Sequence, residues 1–65
     1  MARREMYITA GELKKGDILD MQEVQSKRKS RDGTVSVILV GTITGRQVSV
    51  KWRVDSYHYV TRYTR

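Results

Sequence analysis

The sequence predicts a mainly β protein, a small five-stranded antiparallel barrel with a one-turn helix before the second strand. Three observations carry this reading. Val48, Val50, Trp52 and Val54 alternate with Gln47, Ser49, Lys51 and Arg53, so a strand there buries one face and shows a polar, basic one. Thr34 to Val40 is dense in β-branched residues, with Val35, Val37 and Leu39 on one side and Ser36, Ile38 and Val40 on the other. Gly41 and the Thr44-Gly45 pair supply turn chemistry, making the two arms a hairpin joined by about four or five residues. A lone hairpin is marginal in water, so the remaining residues must cover its apolar face.

From the N-terminus, Met1 to Glu5, MARRE, is polar and expected to be a disordered lead. Met6, Tyr7 and Ile8 form a brief first strand. Thr9-Ala10-Gly11-Glu12 has the Thr-x-x-Glu spacing of a capping box. Gly11 and Gly16 limit the next element to one helical or 3₁₀ turn, with Leu13 facing inward. From Ile18 to Gln25 the alternation is poor, and taking Ile18, Val24 and Met21 as core requires a bend or bulge among them. Ser26 to Gly33, SKRKSRDG, reads as a basic loop, mobile when unliganded because its like charges repel and no apolar residue anchors it. After the hairpin, Asp55-Ser56 breaks the alternation and His58 to Arg62 forms a last edge strand. Val60 points inward there with His58 and Arg62 on its side, and Tyr57, Tyr59, Thr61 and Tyr63 lie on the other.

Sixty-five residues make a single domain, near the lower size limit for folding alone. Thirteen Lys and Arg against seven Asp and Glu give a formal charge of +6, which points toward polyanions, nucleic acid first among them. There is no cysteine, no long apolar run and no signal peptide, so a cytoplasmic protein without membrane attachment is expected. His58 is the single histidine, so neither a Cys/His nucleophile pair nor a multi-histidine metal site can be assembled. Asp17 and Asp20 flank turn and strand positions instead of facing each other across a pocket. The glycines are isolated turn residues, not a phosphate-cradling loop. No catalysis, cofactor or metal is expected.

Binding has better support. Lys27, Arg28, Lys29 and Arg31 in the basic loop are candidate phosphate contacts, joined by Arg46, Lys51 and Arg53 on the outward face of the hairpin. Phosphate contacts position a nucleic acid without reading its sequence, so the mode is weakly specific and salt-dependent. About five contacts to duplex DNA give a slope near −4.5 for log affinity against log salt. Tyr57 and Tyr59, with Tyr63 nearby, are candidate stacking platforms for unpaired bases, with Arg62 and Arg65 beside them. Trp52, in phase with Val50 and Val54, belongs to the core. The plain alternative for the basic run is a solvated charge cluster, and for Lys51 and Arg53 a merely polar sheet face.

The order of elements resembles a small SH3-like barrel of the KOW type, as found in ribosomal proteins and in transcription and translation factors. Ile8-Thr9 with Leu13-Lys14-Lys15-Gly16, then Glu23-Val24-Gln25, a basic loop, a Val-rich strand and Thr44-Gly45-Arg46, is similar to the N-terminal domain of translation elongation factor P, over residues 8–54. That family carries a modified lysine in a Pro-Gly-rich loop tip; this chain has no proline, the nearest positions are Lys29, Ser30 and Arg31, and the modification is not carried over. The size, basicity and Leu-Lys-Lys-Gly-Asp opening look like those of short bacteriophage proteins. Two functional classes result. One is a non-enzymatic nucleic-acid-binding barrel; the other is a phage or mobile-element module that docks on an acidic host protein by edge strands or charge. A monomer or weak homo-oligomer fits either, and a ring subunit as in Sm-like barrels rests on fold analogy.

Overall fold

The computed structural model describes residues 2–64. Six strands form one antiparallel sheet: β1 (Ala2–Thr9), β2 (Ile18–Leu19), β3 (Gln22–Lys29), β4 (Thr34–Gly41), β5 (Gln47–Arg53) and β6 (Tyr57–Thr64), with a 3₁₀ turn at Ala10–Glu12. Their order across the sheet is β1-β6-β2-β3-β4-β5. The mainly β class holds, but the five-stranded closed barrel does not describe what is seen. There are six strands, β1 and β5 are both edges, and β6, expected at an edge, lies between β1 and β2 because the longer β1 pairs along it. The gap is bridged locally instead, by the Ala10 and Gly11 amides donating to the Ser56 and Val54 carbonyls at 2.8 and 3.0 Å.

The extra strand comes from a break where the sequence asked for a bend. Asp20 and Met21 adopt φ of 50° and 61°, the conformation of a tight two-residue hairpin turn, and so split β2 from β3. Leu19 and Val24 then bury, while Ile18 is half-buried and Met21 is 60% exposed, so neither Ile18 nor Met21 takes the core place expected of it. A second irregularity lies within β3. Val24 sits opposite Leu39 but Ser26 sits opposite Ile38, so Gln25 is bulged and every residue after it changes face.

The lead is not disordered either. Ala2 to Glu5 pair with Thr61 to Thr64 along an eight-residue ladder that runs to Thr9 opposite Tyr57. Backbone pairing of two long strands compensates here for the missing apolar side chains. Met1 and Arg65 lie outside the described residues, so the part of the lead at Met1 and the role of Arg65 do too.

One face of the sheet carries the core: Ile8, Ala10, Leu13, Leu19, Val24, Val35, Val37, Leu39 and Val60, with Met6, Val50, Trp52 and Val54 packed against it. Val48, expected inside, is 37% exposed near the open end of β5. Trp52 packs on the core as expected and meets the His58 ring at a tilt of 32°, with ring centroids 4.1 Å apart. The expected capping box forms: the Thr9 amide and hydroxyl both donate to the Glu12 carboxylate, at 3.0 and 2.8 Å. Asp17 is the one buried charge of the described residues. Its carboxylate accepts two hydrogen bonds from Arg62, each 2.8 Å, and one from the Lys14 amide at 2.9 Å. This pins the last strand to the turn before β2, because Arg62 faces inward from β6.

Candidate nucleic-acid interface

The bulge at Gln25 decides which cations are available. Were β3 regular from Val24 onward, Ser26 and Arg28 would face the core side with it. With one residue inserted, Lys27 and Lys29 fall opposite Val37 and Val35 on the core side, and Arg28 turns outward opposite Ser36. The basic loop expected over Ser26 to Gly33 is therefore mostly strand, and only Ser30 to Gly33 remain as a turn.

Lys27 is spent on structure. Its stem lies along the core and its ammonium donates to the Gly11 carbonyl at 2.6 Å, closing the space between β3 and the 3₁₀ turn. Burial, and secondarily the nearby Lys29, lower the Lys27 pKa. Lys29 lies on the same side, its Cε reaching to within 3.8 Å of where a Gly11 side chain would begin. Neither belongs to an outward phosphate face.

Outward of the same strands, the register aligns Arg28 on β3, Ser36 on β4 and Lys51 on β5 in one row. Arg53 stands opposite Thr34 in the neighbouring row, and Arg31 lies in the adjoining turn. At about 4.8 Å between strands, the Arg28 and Lys51 backbones are only about 10 Å apart. Two of these cations already touch carboxylates: Lys51 Nζ is 3.6 Å from Asp32, and Arg53 Nε is 3.4 Å from Asp55. Both pairs are well exposed, so water and salt weaken them and a phosphate oxygen can replace either carboxylate. Asp32 is held in the turn by the Thr34 hydroxyl and amide, at 2.6 and 3.1 Å, and the Thr34 hydroxyl bond is the main reason its pKa is lowered. Arg46 does not join this group. It sits in the connection at the other end of the hairpin, seven residues from Arg53 and so roughly 23 Å away along an extended strand.

The candidate aromatics are more numerous than the sequence suggested. Tyr57, Tyr59 and Tyr63 face outward from β6, and Tyr7 joins them from β1, where it lies directly opposite Tyr59. The sequence gives Tyr7 no neighbouring strand, and its alternation with the inward Met6 and Ile8 is the one signal that places it outward. Arg3 completes this face opposite Tyr63 and donates to Glu5 at 3.1 Å. The Tyr59 phenol pKa is raised, by partial desolvation first and then by the Glu5 carboxylate. The tyrosine and basic faces lie toward opposite ends of the strand order, joined by the short 54–56 connection between Arg53 and Tyr57.

Comparison with protein families, with curated proteins and with solved structures finds no match to this chain.

Proposed function

We propose that this chain is a non-enzymatic nucleic-acid-binding β domain whose phosphate contacts come from Arg28, Lys51 and Arg53 on the outward sheet face and Arg31 in the turn beside it. The observation that carries the reading is the alignment of Arg28 and Lys51 across Ser36, with Arg53 next to them. Two strands, β3 and β5, hold three cations at fixed spacing on either side of β4 on an exposed face, in a chain of net charge +6. Such a surface attracts a polyanion and positions its backbone without reading base identity. The 3₁₀ turn is hydrogen-bonded to residues 54–56 beside the open edge, an arrangement consistent with the SH3-like reading of the chain.

Four phosphate contacts give an expected slope of log affinity against log salt near −3.6 for duplex DNA and about −2.8 for a single strand. The test is fluorescence anisotropy with labelled oligonucleotides at several salt concentrations, comparing wild type with R28Q/K51Q/R53Q and with K27Q/K29Q. The outward triple variant is expected to weaken binding and flatten the slope to about −0.9 or shallower on duplex. The inward pair is expected to leave the slope unchanged. Absence of salt-sensitive binding by the wild type to any DNA or RNA refutes the reading.

A second reading, docking on an acidic host protein, draws on β1. This eight-residue edge strand has one unpaired side and carries Arg3 and Arg4. Binding that survives loss of Arg28, Lys51 and Arg53 but not a proline in β1 would favour it.

A further inference from the structure

All four tyrosines of the chain stand on one outward face of the β1–β6 ladder. None serves the core: Tyr7 is 65% exposed, Tyr57 60%, Tyr59 57% and Tyr63 47%. Tyr7 and Tyr57 are stacked, with centroids 5.5 Å apart and planes at 11°, and both remain more than half exposed. Four exposed tyrosines on one face of a small domain make that face a candidate contact site.

The charges around it select the occupant. A second copy of the chain would bring +6 against +6. Among the described residues, an acidic protein would find on this face Arg3 alone as a cation, already bonded to Glu5. A nucleic acid is drawn by the net charge of the domain and needs from the face only π surface, which the tyrosine rings supply. Alternate residues of β6 repeat every ~6.7 Å. That is about twice the ~3.4 Å advance per nucleotide of a stacked strand, so Tyr57 and Tyr59 match one step of a partly extended strand, and Tyr63, ~13 Å beyond Tyr59 because Thr61 lies between them, matches two. A duplex encloses its base faces and cannot use such a platform.

Building on the nucleic-acid reading of the basic face, we infer that the tyrosine face of β1 and β6 is a base-stacking platform, which makes single-stranded nucleic acid the ligand class of this domain.

The test compares a labelled dT dodecamer with a duplex of the same length, using wild type, Y7T/Y59T and Y7F/Y59F. Threonine keeps strand propensity and removes the ring; phenylalanine keeps the ring and removes the hydroxyl. The wild type is expected to prefer the single strand. The threonine pair is expected to lose it by at least roughly tenfold while duplex binding stays, and the phenylalanine pair to bind as wild type does. Undiminished single-strand binding by the threonine pair overturns the inference, as does equal loss on both polymers; in the first case the phosphate reading stands. Wild-type failure to bind either polymer removes the parent reading and this one with it. A wild-type dimer that the threonine pair converts to monomer, with single-strand affinity unchanged, also overturns it. Photo-crosslinking a bromouracil oligomer to the unaltered protein needs no variant to fold. Adducts at Tyr7, Tyr57, Tyr59 or Tyr63 support the inference, and adducts confined to other segments overturn it.

Discussion

Removing either partner of the Asp17–Arg62 pair should cost much of this domain's stability, and the two removals should not cost the same. A chain of this length has about 3–10 kcal/mol to lose. Breaking a buried ion pair by deleting one side costs about 3–5 kcal/mol, because the other charge is left unpaired. The side chain of Asp17 is 2% exposed and that of Arg62 20%. In Asp17→Ala, the freed guanidinium can turn toward water, which places the loss near the lower end, about 3 kcal/mol. In Arg62→Ala, the carboxylate remains enclosed with only the Lys14 amide, which places it near about 5 kcal/mol. At about 4–8 °C per kcal/mol for a domain of this size, Asp17→Ala should lower Tm by about 12–24 °C. Urea unfolding followed by Trp52 emission measures both variants and the double variant, whose loss should fall well short of the sum. Losses under about 1 kcal/mol in both single variants, or strict additivity in the double, would refute the pair as the fastening of β6.

Individual contacts give three further expectations. Burial lowers the His58 imidazole below its ordinary pKa of 6.5, so the unfolded chain binds the proton more readily than the folded one. Its share of stability is complete above pH 6.5 and is lost as pH falls from there through the lower folded-state value; Tm measured between pH 7.5 and 5 should decline, and His58→Gln should flatten the decline. The Glu12 carboxyl, held below 4.5 chiefly by the Thr9 amide, and Asp32, held below 3.8, titrate under that window and leave it clean. Met21→Gly should stabilise the protein by about 0.5–1 kcal/mol, since Met21 occupies φ 61° with little burial to lose; an unchanged or lower urea midpoint contradicts this. Lys27→Met keeps the apolar stem but frees the Gly11 carbonyl, and should lower stability by about 1–2 kcal/mol while leaving oligonucleotide affinity within about twofold. A variant that is fully stable and weakened in binding would place Lys27 in the interface after all.

Much of the architecture was legible in the residues. The Thr34–Val54 hairpin and its short connection derive from the alternation of Val48 to Val54, the β-branched run and the turn residues at Gly41 and Thr44-Gly45; alternation puts Val35, Val37 and Leu39 on one side, which the structure shows to be the core side, and places Val60 inward with Arg62. The capping box at Thr9 and Glu12 was equally local. What local reading could not reach was register. Nothing in SKRK announces that Gln25 bulges, yet that one inserted residue takes Lys27 and Lys29 out of the candidate interface and turns Arg28 outward. Similarly, MARRE carries no apolar side chain beyond its first two residues and looks like a frayed lead, because the groups that order it are backbone amides and carbonyls facing β6. With β1 read as short, Tyr7 has no partner strand and the four-tyrosine face stays hidden. The Asp20-Met21 turn lacks the glycine or asparagine that usually marks such a site, so one expected strand became two.

The most direct test of the binding account is an amide chemical-shift map of the ¹⁵N-labelled wild-type protein titrated with a dT dodecamer at low salt. Shifts concentrated on Tyr7, Tyr57, Tyr59 and Tyr63 and on Arg28, Lys51 and Arg53, with Lys27 and Arg46 unmoved, are the expected result. Saturating changes confined to the Arg46 end of the hairpin, or no changes at all, would contradict it.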